Sequence, residues 1–272
     1  MQWTGQQLTE LLEGSRNGLN YGPPMAGKTY SLITLIEAGY YPLHLHDFDG
    51  KCQSLLRVAK EKGLLDKIVV FRYSSPVGDR VKDSEYPGRH GGTFLDFLKV
   101  HNAYYDNIDI KTGQWKDPTI APLAIAYDTL TTFSSIALEF VLASVGHDLG
   151  AKNTDARSDY GKQMAKILEA VRSSKALPCI TVWNAHEKFD KDELLGKTRC
   201  EPLATGQLSS YLAREFNAVL YSQVVGSAAS KTGARYEWLT KPQGWITQAG
   251  STESDLPIVI PQDWGLVFGK KE

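Results

Sequence analysis

Along the chain, stretches with apolar residues at helical spacing alternate with short apolar runs bounded by Gly, Pro and Asp. Residues 4–14 read as a short amphipathic helix, with Leu8, Leu11 and Leu12 on one face and Thr4 and Gln7 at capping-box spacing. A strand through Leu19, Asn20 and Tyr21 runs into Gly22, and a helix over 28–38 follows. Residues 41–46 and 67–73 read as strands and 54–62 as a helix between them. Over 74–119 the pattern weakens into recurring Gly, Pro and Asp around one helix near 93–101, which reads as an insertion carrying functional loops. The continuous apolar run 122–127, closed by Asp128, has the character of a central parallel strand.

Helices are expected over 130–145 and over 159–174, the latter with Tyr160, Met164, Ile167, Leu168 and Val171 at helical spacing, and a strand over 177–183. The polar, mixed-charge stretch 188–202 reads as a loop. A helix over 207–215 and a strand over 218–224 come next, and strands at 235–240 and 257–268 close a C-terminal meander at about 225–272. Strands alternating with helices predict an α/β fold: a mostly parallel central sheet with helices on both faces. No linker divides residues 1–272, so one domain is expected.

Composition narrows this modestly. Of 272 residues, 42% are hydrophobic, enough for a sizeable core, and 22% are charged, which argues against wholesale disorder. Thirty Lys and Arg against 31 Asp and Glu give a net charge of −1, so any contact with nucleic acid has to come from a local patch. The apolar stretch 136–145 contains Glu139 and stops at Gly146, short of the roughly 20 residues a membrane span needs. The start, Met1-Gln2-Trp3-Thr4-Gly5, lacks the basic cluster and apolar run of a secretory signal. Cys52, Cys179 and Cys200 lack metal-type spacing, and the expected setting is a reducing cytoplasm without contact with a membrane.

The segment Gly22-Pro23-Pro24-Met25-Ala26-Gly27-Lys28-Thr29 carries the most chemistry. It fits G-x-x-x-x-G-K-[ST] between a strand and a helix that opens through Tyr30, and this is the context a P-loop requires. There, backbone N–H groups cradle phosphate, the helix N-terminus adds positive potential, Lys28 reaches the β- and γ-phosphates, and Thr29 offers a hydroxyl to Mg2+. Asp128, ending an apolar strand, fits a carboxylate that holds Mg2+ through water, or else caps the helix that follows; the next residue is Thr129, not the Glu of an AAA-type base. Asp47 and Asp49 lie at another strand's carboxyl end. Asp49 there could orient an attacking water, or the pair could belong to an Asx-rich turn closed by Gly50. A further strand delivers Asn184 and His186 to the same end of the sheet, where they could sense a γ-phosphate, or His186 could simply bond backbone.

In this order the motifs resemble a RecA-type ATPase core over about residues 19–221. More narrowly, Asp128-Thr129-Leu130-Thr131, Asp159-Tyr160-Gly161 and Ala185-His186-Glu187 resemble phage-encoded AAA/RecA-like nucleotide-binding proteins, a group that includes single-strand-annealing ATPases. The resemblance implies a RecA-like P-loop NTPase core, ATP and Mg2+ as cofactors, and Asp49 as catalytic base, with Asp in place of the usual Glu. It also implies single-stranded DNA as partner, a homo-oligomeric ring or filament, a possible single-strand-binding protein or replication partner, and the host cytoplasm. The DNA-binding loops would be 146–159 and 188–204, which carry Lys152, Arg157, Lys188, Lys191, Lys197 and Arg199. The Lys-x-Arg pair of related proteins is missing from 245–251; Arg235 or Lys241 are the substitutes at hand. Tyr104, Tyr105 and Trp115 either stack on bases or pack under the insertion. Two other functions remain open: a P-loop kinase of a small molecule or polynucleotide, although Arg80, Arg89, Arg157 and Arg199 are too scattered for a lid, and a nucleotide-gated assembly factor with little turnover.

Overall fold

The computed structural model describes residues 16–73, 92–109, 111–146, 156–192, 197–205, 208–226, 233–252 and 255–271. The helix expected over 4–14, the first part of the insertion (74–91), and Lys152 with its loop lie outside the described residues. Strands β1 (Asn17–Gly22), β2 (Leu43–Asp47), β3 (Ile68–Arg72), β4 (Ala124–Asp128), β5 (Ile180–Asp192) and β7 (Ala218–Val225) run parallel in the order β3-β2-β4-β5-β1-β7. Strands β8 (Arg235–Leu239) and β10 (Val259–Pro261) extend the sheet antiparallel beyond β7, which also pairs with β9 (Gly250–Ser251).

Alternation along the strands sends side chains into two cores. Ile125 and Tyr127 of β4 join Leu19, Tyr21 and Trp183 on one face, under α4 (Gly92–Asp106), α5 (Leu130–Ser144) and α6 (Ala156–Lys175). Ala124 and Ala126 join Leu43, Leu45 and Val182 on the other, under α1 (Lys28–Ser31), α2 (Ile33–Glu37) and α3 (Gln53–Glu61). The chain is thus an α/β protein with a mostly parallel central sheet and helices on both faces.

Three elements differ from the sequence expectation. The helix expected over 28–38 is interrupted at Leu32: the Ser31 hydroxyl bonds Lys28 O and the Thr34 hydroxyl bonds Ser31 O, while Leu32 and Leu35 make tightened three-residue bonds. The expected loop 188–202 is instead a hairpin, in which the outer half of β5 pairs with β6 (Lys197–Pro202). Its polar composition hid it, because a two-stranded ribbon standing in water has no need of an apolar stripe. The closing meander ends in a helix, α8 (Trp264–Phe268), rather than in strand. A short helix α7 (Leu208–Leu212) precedes β7.

Candidate functional site

Residues 22–29 turn between β1 and α1 at the carboxyl end of the parallel strands. Gly27 has φ 82°, which favours glycine, and a β-carbon there would lie 2.6 Å from Gln262 Oε1 and 2.8 Å from the Tyr236 ring. A β-carbon on Gly22 would lie 2.5 Å from the Ser222 carbonyl oxygen. Pro23 and Pro24 shape the turn, Ala26 is buried under it, Met25 is 94% exposed at its crest, and Tyr30 stands on the outer side of α1. Lys28 is buried, and its ammonium donates to the carbonyls of Gly22 (2.9 Å) and Pro23 (2.7 Å). Burial pushes its pKa down to about 8, against the favourable fields of Asp128, Glu187 and Asp49. A buried ammonium bonded only to loop carbonyls fits a loop shaped for an anion.

Strand β5 lies between β1 and β4, so Asp128 reaches the loop across Asn184 rather than from an adjacent strand. Even so, Thr29 Oγ1 donates to Asp128 Oδ2 at 2.6 Å, and Asn184 Nδ2 donates to Asp128 Oδ1 at 3.2 Å. A carboxylate and a hydroxyl side by side are hard oxygen donors of the kind Mg2+ takes. Asn184 Oδ1, His186 Nδ1 and Asp47 Oδ2 are buried without a hydrogen-bond partner, so polar capacity converges here that the protein itself does not use. Asp128 is not the cap of α5; that is Thr129, whose hydroxyl accepts from the Thr132 N–H.

Asp49 comes to the same place. Its Oδ1 accepts from Thr129 Oγ1 at 3.2 Å and from Thr132 Oγ1, and its Oδ2 stands 3.7 Å from His186 Nε2. Burial works against its charge, but His186, Thr132 and Thr129 outweigh burial and hold its carboxyl below the usual range. Asp49 thus remains an ionised acceptor, which is the state a base needs. Lys28, Thr29, Asp49, Asp128, Asn184 and His186, drawn from four strand ends, therefore converge on one site.

No protein-family model matches the chain, and no curated protein matches it. Among solved structures, the crystal structure of the RadB recombinase aligns over 91% of this chain and 99% of its own, at 14% identity and a TM-score of 0.40. So distant a likeness carries no residue correspondence.

Of the described residues expected to meet nucleic acid, four share one hairpin and one stands apart. Lys188, Lys191, Lys197 and Arg199 lie on the β5–β6 hairpin, and Arg157 stands in the first turn of α6. Of the insertion aromatics, Tyr104 is buried, its hydroxyl sharing hydrogen bonds with His44 Nδ1 and His46 Nε2 (both 3.0 Å), and half-buried Trp115 packs edge-on against it. Tyr105 bonds Ser173 O at 2.5 Å. Tyr104 and Trp115 therefore pack under the insertion, whereas Tyr105 stays exposed beside Ser173. Three residues at the site have no role in the sequence reading. Thr131 is part of a motif that carries the resemblance but has no assigned function, and Thr132 reads as an ordinary first-turn residue of a helix. Gln262, whose amide donates to Ala26 O at 2.8 Å, lies 236 positions from the loop it touches, with no local signal.

Proposed function

We propose that the chain is a RecA-like P-loop ATPase that binds ATP with Mg2+ and acts on single-stranded DNA in phage recombination, annealing or replication, as a ring or filament in the host cytoplasm. The observation that carries this reading is the 2.6 Å contact between Thr29 and Asp128. It joins two motifs 99 residues apart in the arrangement a nucleotide-metal site requires.

When bound, ATP supplies the bond to be broken and Mg2+ the charge that offsets its phosphates. Lys28 gives up the Gly22 and Pro23 carbonyls for phosphate oxygens, and the loop N–H groups hold the rest. Thr29 and Asp128 hold the metal, and Asn184 fixes the orientation of the Asp128 carboxylate. Asp49, held ionised by the two Thr hydroxyls and His186, takes the proton of the attacking water. His186 and Asn184 stand where they can register the γ-phosphate.

ATP titration and hydrolysis assays on wild type, Lys28→Ala and Asp49→Asn test this. Lys28→Ala should lose nucleotide binding. Asp49→Asn should bind as wild type does and turn over at least about 100-fold slower. Wild-type affinity in Lys28→Ala would refute the phosphate assignment. A wild type that binds ATP without turnover, with or without single-stranded DNA, would leave the chain a nucleotide-gated assembly factor.

A further inference from the structure

Beyond His186, strand β5 leaves the sheet at the nucleotide end and becomes one arm of the hairpin. Residues paired across the two arms share a face. On one face Lys188 stands opposite Glu201 and Asp190 opposite Arg199, so each cation has an acid directly across from it. On the other face Glu187, Phe189 and Lys191 stand opposite Pro202, Cys200 and Thr198.

The root of this second face is built into the molecule. Glu187 Oε2 accepts from the Tyr221 hydroxyl at 2.8 Å, Cys200 is fully buried, and the Cys200 N–H donates to Trp245 O at 2.8 Å. Its outer part faces water. Phe189 is 56% exposed and Trp245 43%, their ring centroids 5.1 Å apart at an angle of 46°. Tyr221 meets Trp245 edge-on from behind, with centroids 5.9 Å apart and planes at 86°, and fixes its position. Exposed Lys191 stands on the same face with the neutral Thr198 across from it, so the charge left over beside the rings is positive.

We propose that Phe189 and Trp245 form a stacking platform for the bases of a single-stranded nucleic acid, with Lys191 meeting its phosphates. This rests on the single-stranded DNA reading above and deepens it by naming the face and the side chains. Two large rings held in water, with a cation at their edge that faces a neutral residue across the hairpin, match a ligand that offers flat π-faces and negative charge together. The platform is continuous with the nucleotide site, since Glu187, which holds Tyr221 behind the rings, also acts on the charge of Lys28. The charge-matched face with Lys188 and Arg199 contributes much less.

Fluorescence anisotropy with labelled oligo(dT) and oligo(U), on the full chain with ATP present, tests the proposal. Phe189→Ala and Trp245→Ala should each weaken oligo(dT) binding by between about 5- and 150-fold, the range base stacking supplies. Phe189→Leu keeps the apolar contact with Trp245 but cannot stack, and it should weaken binding too, while Phe189→Tyr should restore it. Lys191→Ala should lower the salt slope by about one. Nucleotide affinity, measured alongside, should stay at the wild-type value, and a thermal melt checks that each variant remains folded at the assay temperature, with Trp245→Ala alone expected to lose some stability. Ring variants that bind oligo(dT) as wild type does overturn the platform and leave the DNA reading standing. A wild type that binds ATP but neither strand overturns the DNA reading itself. Ring variants that lose self-association in sedimentation velocity while keeping strand affinity assign the rings to a second copy of the chain and overturn the platform.

Discussion

The carboxylate of Asp128 is 3% exposed, and this burial pushes its pKa up to about 6. Hydrogen bonds from Thr29 and Asn184 favour the ionised form, and the nearby charges of Asp49 and Asp47 oppose it. In the unfolded chain the group titrates near 3.8. Between about pH 4 and 6 the folded protein therefore holds a proton that the unfolded chain has released, and stability falls as pH rises through that window. Above it the penalty is fully present. Mg2+ held by Asp128, as proposed, would work the other way, because it requires the ionised carboxylate. In urea unfolding without metal, Asp128→Asn should therefore gain on wild type as pH rises from 4 to 7, while Mg2+ with a non-hydrolysable ATP analogue should stabilise wild type alone. A stability difference that ignores pH would mean that Asp128 does not titrate as its burial requires. These residues were legible in the sequence because their signals are local: eight consecutive positions spell the loop, and Asp128 closes an unbroken apolar run.

At the scale of elements, the first turn of α5 ties the candidate site to the hairpin. Thr129 and Thr132 bond Asp49. Between them, the Thr131 hydroxyl accepts from the His186 N–H at 3.0 Å and donates to Leu203 O at 3.1 Å. His186 and Leu203 are where the two arms of the hairpin begin, and Leu203 N also donates to His186 O at 2.6 Å. In the proposed ATPase, a shift of Asp49 on hydrolysis would be carried by this helical turn to both arms at once. Thr131→Val, which keeps the shape and removes the hydroxyl, should cost about 1–3 kcal/mol of stability through the two backbone groups it strands. It should leave ATP affinity near wild type and abolish the difference in strand affinity between ATP- and ADP-bound protein, and Thr131→Ser should recover it. A full nucleotide effect in Thr131→Val would place the coupling elsewhere. The sequence announced α5 plainly through its apolar spacing but not the hairpin it holds, since alternating charges on a solvated ribbon resemble a loop residue by residue. The interruption at Leu32 was equally hidden, because it depends on which acceptors the Ser31 and Thr34 hydroxyls find.

Across the whole molecule, the segment after β8 returns to brace the 22–29 loop. Helix α8 docks on the opening elements: Trp264 N donates to Thr34 Oγ1 at 2.8 Å, and Arg16 and Tyr40 both donate to Phe268 O. Just ahead of it, one Gln262 amide nitrogen donates to Ala26 O (2.8 Å), Ser222 Oγ (3.1 Å) and Glu237 O (3.3 Å). Ser222 in turn donates to Asn20 Oδ1 at 2.6 Å and accepts from Trp238 Nε1 at 3.1 Å, so the loop, β1, β7 and β8 share one polar link. No window of sequence contains both ends of that link, and this is why the parallel sheet could be expected from the sequence and the brace could not. The two functions of the tail can be separated by substitution. Trp264→Ala removes a fully buried ring and should cost about 3–5 kcal/mol of stability. Gln262→Ala removes three shared hydrogen bonds worth about 0.5–1.5 kcal/mol each, so its unfolding midpoint should fall as well. What sets it apart is the loop: with Ala26 released and the space behind Gly27 opened, ATP affinity should drop by about 2- to 10-fold, while Trp264→Ala should leave it near wild type. Titration of a fluorescent ATP analogue beside a thermal melt reads both quantities from one preparation. Unchanged ATP affinity in Gln262→Ala would mean that the loop holds its shape unaided and that the tail serves stability alone.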